Sequence, residues 1–95
     1  MANCVSDIAL IGGPLLGVRH GGNTGPGAVV DFRGNVRPLE NGAAISGIEY
    51  EAHRTMAEHQ MRQIAVEAAR QFDLMEVILH HAFGFVGAGE TSLFL

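Results

Sequence analysis

The chain contains no lysine and no tryptophan among its 95 residues. All six cationic side chains are arginines, and Arg19, Arg33, Arg37, Arg54, Arg62 and Arg70 stand singly rather than in a run. Against ten acidic residues they leave a formal net charge of −4, which excludes general binding to nucleic acid or to an anionic membrane, since both need a basic surface. Without lysine there can be no Schiff base and no phosphate-binding loop of the GxxxxGK type. The glycine-rich stretch Gly21–Gly27 (GGNTGPG) therefore reads as a connection, the more so because a strand pattern and not a helix follows it. Cys4 is the only cysteine, so no disulfide forms within the chain, and a lone thiol fits a reducing, cytoplasmic compartment. No base is readable beside Cys4 to make it a nucleophile. No apolar run approaches the ~20 residues of a membrane span. Ile8–Leu16 is apolar, but Asp7 and no cation precedes it, so it lacks the positive flank of a signal peptide.

Near half the residues are apolar, a globular composition, and the length suits one domain over residues 1–95 with a modest core. The most regular pattern is Gly27–Arg37 (GAVVDFRGNVR). Ala28, Val30, Phe32, Gly34 and Val36 alternate with Val29, Asp31, Arg33, Asn35 and Arg37, which predicts a strand with one face on a core and one polar face. A first strand is expected at Val5–Ile11, broken by Gly12–Gly13–Pro14, with Pro14 opening a short helix through Arg19. Asn41–Gly42 is a turn signal, and Ile45–Ala52 reads as a strand forming a hairpin with Gly27–Arg37. A two-residue turn there would set polar residues opposite apolar ones, so a bulge or longer loop near Pro38 or Gly47 is required, bringing Glu49 and Glu51 onto the arginine face.

Thr55–Phe72 is the expected long helix. Thr55 and Glu58 have capping-box spacing, and Ala57, Met61, Ile64, Ala65, Ala68 and Phe72 form an apolar stripe. A strand at Leu74–His81, a glycine turn at Gly84–Gly89 and a last strand at Glu90–Leu95 follow. That last strand carries Leu93, Phe94 and Leu95 with no polar end. It is expected either to lie inside a sheet under another chain or to belong to a domain that continues. The fold class is α+β, a mixed or antiparallel sheet packed by one long amphipathic helix.

Two groups invite chemistry. Arg33 and Arg37 share a strand face and could grip a phosphate or carboxylate through guanidinium forks, or could pair across strands with Asp31, Glu49 and Glu51. The histidines His20, His53, His59, His80 and His81 lack metal spacing: His53 and His59 are six apart, and His80 and His81, as neighbours in a strand, point to opposite faces. No metal site is expected.

GAVVDFRGNVR, followed after a short loop by GIEYEAHRTMAE and then by ILHHAFGFVGAGETSLFL, resembles the large (catalytic) subunit of molybdopterin synthase, the MoaE family, in motif order and spacing from Gly27 to Leu95. The resemblance implies an α/β-hammerhead-like fold and a homodimer of large subunits. Each would bind a small ubiquitin-like sulfur-carrier subunit of the MoaD type, giving a heterotetramer. The carrier's thiocarboxylated Gly-Gly tail would donate sulfur to cyclic pyranopterin monophosphate to make molybdopterin, with no metal or organic cofactor. Arg37 falls on the family's VR arginine, which helps bind the anionic end of the substrate, and Asn35 and Val36 fall on positions lining the same site. Arg33 falls on a variable position.

The departures are specific. His53 stands where the family usually has tyrosine, and Ala82 where arginine or lysine often follows His81. The family's second His-Arg motif and its two lysines, in a KxxxPxWK-like segment, would lie past Leu95, so the matched stretch is about the N-terminal two-thirds of the family domain. Those lysines would supply the covalent or acid–base chemistry, which leaves this 95-residue chain without catalytic residues and inactive on its own. The alternative is a non-catalytic shortened relative serving as a dimerisation or partner-binding module.

Overall fold

A computed structural model describes residues 4–16 and 27–95; residues 21–26 of the glycine-rich connection and the second half of the short helix expected from Pro14 to Arg19 lie outside the described residues. In chain order the elements are β1 (Cys4–Gly12), β2 (Arg33–Asn35), β3 (Leu39–Glu40), β4 (Ala43–Ala44), β5 (Gly47–Tyr50), α1 (Arg54–Gln71), β6 (Glu76–Gly87) and β7 (Thr91–Phe94). They form an α+β domain with a five-stranded mixed sheet, a separate small hairpin and one helix.

The sheet is organised on β6, not on the alternating stretch at Gly27–Arg37. β6 is twelve residues long and touches three strands: β1 in parallel, β7 antiparallel, and β5 antiparallel at its far end. β-Branched and aromatic residues favour its extended run, and it carries the fully buried Val86 and the buried Val77 and Ala82. It continues through the expected glycine turn because Gly84 takes a φ of +83° inside the strand. The actual reversal comes at Gly87–Glu90, where Gly89 has φ +86° and Gly87 N–H donates to the Glu90 carboxylate at 2.7 Å.

The expected hairpin between Gly27–Arg37 and Ile45–Ala52 does not form. β2 is only three residues long and pairs with β7, with Gly34 opposite Leu93, whereas β5 pairs with β6, with Ile48 opposite Val86. The register conflict is thus resolved by different partners rather than by a bulge. Asn41–Gly42 does turn the chain, joining Leu39–Glu40 to Ala43–Ala44, and both turn residues take positive φ (52° and 81°) as a two-residue hairpin of this kind requires. Nor is Gly27–Phe32 a core strand: Val29, Val30 and Phe32 are exposed. Phe32 pairs by both backbone groups with Leu95, extending the β2–β7 ladder by one step. β7 lies between β6 and β2, so it is internal to the sheet and covered on its outer side by this same chain.

The helix forms as its periodicity predicts, but starts differently. His53 is the N-cap, its Nδ1 accepting from Met56 N–H at 3.4 Å, so Thr55 falls inside the helix and the expected capping box is displaced. Ala65 and Ala69 are buried against Val77 and Ile8. Ile64 and Phe72 of the expected stripe are instead largely exposed, because the helix turns a narrower face to the sheet. On the other side of the sheet a second cluster joins Leu15, Val36, Ala82, Val86 and Phe94. Leu15 enters it through a single bridge to Thr91 and is extended, not helical.

Candidate functional site

Asn35, Val36 and Arg37 continue from the end of β2 alongside the β6–β7 turn. Val36 N–H donates to the Glu90 carbonyl at 2.9 Å, and Gly89 N–H donates to the Val36 carbonyl at 2.7 Å. Thr91 Oγ1 donates to Asn35 Oδ1 at 2.8 Å, fixing the amide. Ala88 N–H reaches the Ser46 carbonyl at 2.9 Å, so the approach to β5 is tied to the same turn. A stretch of backbone far apart in sequence is thereby held rigidly at one edge.

The three residues singled out in the sequence play different parts there. Val36 is buried in the core, and both its backbone groups are engaged with Gly89 and Glu90, so it anchors the edge. Asn35 is exposed, with its amide oriented by Thr91. Arg37 projects into solvent with its side chain 78% exposed, and its only ion pair among the described residues is with Glu40, at 3.6 Å. Exposed pairs of this length contribute roughly 0–1 kcal/mol, so the guanidinium is available to a stronger anion. Arg33 is also exposed, but β5, which carries Glu49, does not pair with its strand. Glu49, on β5, lies opposite Phe85 of β6, so it does not sit across a strand pair from Arg33.

The turn itself was not singled out by sequence reasoning as part of the site. Its signal was the spacing of Gly87 and Glu90, three apart, which lets a carboxylate close its own turn on a backbone N–H. A β-carbon on Gly87 would meet that carboxylate at 2.7 Å.

The histidines are separated as strand geometry demands. His80 stands edge-on to Phe94, its Nε2 2.9 Å from Asp7 Oδ2, close enough for an ion pair but not aligned as a hydrogen bond. His81 faces the other way, edge-on to Tyr50, with its Nδ1–H donating to the Ala82 carbonyl at 2.6 Å. Nearby, Arg54 lies 4.6 Å from the Phe83 ring centroid and donates to the Leu10 carbonyl, which spends its charge on packing β1 against the start of the helix. Among the described residues no three His, Cys, Asp or Glu side chains come together as a metal site, and no helix is long and apolar enough to cross a membrane.

Fold and edge together define an α+β domain with a long central strand, one helix, and an arginine–amide pair displayed beside a glycine turn. The sequence profile of the family described as MoaE protein matches residues 17–95, and the chain belongs to that family. A molybdopterin synthase catalytic subunit from Pseudomonas aeruginosa is 34% identical over 95 residues, all of this chain and 63% of that protein. One from Thermoplasma volcanium is 34% identical over 67 residues, 70% of this chain and 49% of the relative, and one from Bacillus subtilis is 31% identical over 67 residues, 70% and 43% respectively. The chain thus spans between about two-fifths and five-eighths of the length of these relatives.

Proposed function

We propose that this chain acts in molybdenum cofactor biosynthesis as the large subunit of a molybdopterin synthase, with Arg37 and Asn35 holding the anionic end of cyclic pyranopterin monophosphate. The observation that carries the reading is the exposed Arg37 guanidinium, held only by a loose pair to Glu40, next to an amide oriented by Thr91 on a rigid edge. An arginine fork of this kind binds phosphate bidentately, while Val36 fixes its position from the core. Sulfur would arrive as a thiocarboxylate on the tail of a small ubiquitin-like carrier, which relieves this chain of supplying a nucleophile. The reading includes a dimer of large subunits, a heterotetramer with two carriers, and a cytoplasmic location, the last resting on the single cysteine.

With no lysine to donate protons or to hold a covalent intermediate, the 95-residue chain alone is inactive in this reading. The same absence favours a second reading, a non-catalytic dimerisation or partner-binding module. One experiment separates them: the chain is mixed with thiocarboxylated small subunit and cyclic pyranopterin monophosphate, and carrier binding, substrate binding and dithiolene formation are each measured. Binding of both without turnover supports the subunit reading. Carrier binding without substrate binding supports the module, and dithiolene formation by this chain alone refutes its inactivity.

A further inference from the structure

Asn41 and Gly42 form the loop of the small hairpin and have no part in the Asn35–Arg37 edge. The loop is exposed, with φ of 52° and 81°, and the ladder pairs Glu40 with Ala43 just outside it. Among the described elements β3 and β4 pack only on each other, and their residues are exposed throughout. A two-stranded hairpin of that size is marginal in water, so it opens locally at small cost. Once open, an Asn-Gly pair is reactive. Gly42 has no β-carbon, and one built there would meet nothing within 4 Å, so nothing crowds the approach of its backbone nitrogen to the Asn41 side-chain carbonyl carbon. Asn35 supplies the contrast. It too is exposed, but Thr91 Oγ1 holds its Oδ1 at 2.8 Å. The nitrogen that would attack it belongs to Val36, which is buried, β-branched and already donating to the Glu90 carbonyl at 2.9 Å. The same reaction is closed at Asn35 and open at Asn41.

We propose that Asn41 is a site of spontaneous deamidation, and that the carboxylate it leaves weakens the hold of Arg37 on an anion. The Gly42 nitrogen loses its proton to solvent base and bonds to Asn41 Cγ. The bond from Cγ to the side-chain nitrogen breaks, and that nitrogen leaves as ammonia. Water then opens the resulting succinimide at either carbonyl, giving aspartate or isoaspartate. An amide and a water become a carboxylate and an ammonia, with no oxidation or reduction. The new charge stands next to Glu40, whose carboxylate is 3.6 Å from the Arg37 guanidinium, as a second competitor for it and a repulsion for any anion brought to it. The effect on Arg37 rests on the proposed function's reading of that residue; the modification does not.

For the test, the purified chain is held at mildly alkaline and at mildly acidic pH, and its asparagines are followed by peptide mapping and mass spectrometry. Conversion is expected at Asn41 ahead of Asn3, Asn23 and Asn35, and faster at the alkaline pH because the attacking nitrogen must lose a proton. It is expected to vanish in Asn41→Gln, whose longer side chain closes the ring poorly. An unmodified Asn41, or conversion at Asn35 at an equal rate, overturns the proposal. Asn41→Asp and Asn41→Gln are then titrated calorimetrically with a phosphate ester, since both lose the asparagine and only the first gains a charge. Asn41→Asp is expected to bind about 1.5- to 5-fold more weakly, the scale of an exposed ion pair, and equal affinity overturns the coupling to Arg37. Arg37→Ala, titrated alongside, keeps the two readings apart: if it binds like the native chain the proposed function fails, while the mapping still decides the modification.

Discussion

Val36 and Arg37 are adjacent in sequence and opposite in role. Val36 is 3% exposed and packs in the core, so Val36→Ala is expected to cost roughly 2 kcal/mol by urea denaturation while leaving anion affinity per folded molecule within about twofold. Arg37 is held by Glu40 alone among the described residues. Removing that competitor with Glu40→Gln is expected to tighten anion binding by about 1.5- to 5-fold, the equivalent of an exposed ion pair, as titration calorimetry with a phosphate ester would measure. The alternation of Gly27–Arg37 exposed both arginines equally, and only the structure shows that neither gains a cross-strand carboxylate, because Glu49 sits on a strand with another partner. The Thr91 hydroxyl that orients Asn35 is 56 residues away, and nothing local in the sequence encodes such a contact.

Among the elements, the helix was the most legible, since its i, i+4, i+7 repeat is local; of its two buried residues the stripe contains Ala65, while Ala69 lies one position past the stripe's Ala68. Its start was less so, because His53 and Thr55 compete for the cap and the chain's path out of β5 decides between them. His53→Ala is expected to lower stability by about 0.5–1 kcal/mol and Thr55→Ala to change it by less than about 0.5 kcal/mol, as paired thermal melts would show. Strand partners were the least legible. Turn chemistry identified Asn41–Gly42 correctly, yet the hairpin there is two residues deep on each side, and the flanking strands go elsewhere. What holds β5 on β6 is close approach at Gly47, where a β-carbon would collide with the Val86 carbonyl oxygen and come 2.9 Å from the Gly87 Cα. Gly47→Ala is therefore expected to destabilise the protein by about 1–3 kcal/mol and to raise amide exchange in Ile48–Tyr50 before the rest of the sheet.

At the scale of the molecule, β6 organises the domain by touching β1, β5 and β7, and its turn into β7 clamps the Asn35–Arg37 edge in place. The α+β class was readable from the pattern of elements, whereas the centre of the sheet was not, because β6 takes its three partners from stretches far apart in the chain. The arrangement displays the Arg37 side chain in solvent beside this turn, loosely paired with Glu40. In the proposed function, Arg37 holds the anionic end of the substrate. Calorimetric titration with cyclic pyranopterin monophosphate tests it most directly, using the native chain, Arg37→Ala and Arg33→Ala. The account predicts that Arg37→Ala weakens binding roughly 10- to 150-fold, the loss of a charge-assisted contact, and that Arg33→Ala leaves it unchanged. Equal affinity of the native chain and Arg37→Ala, or an equal loss with Arg33→Ala, would contradict it.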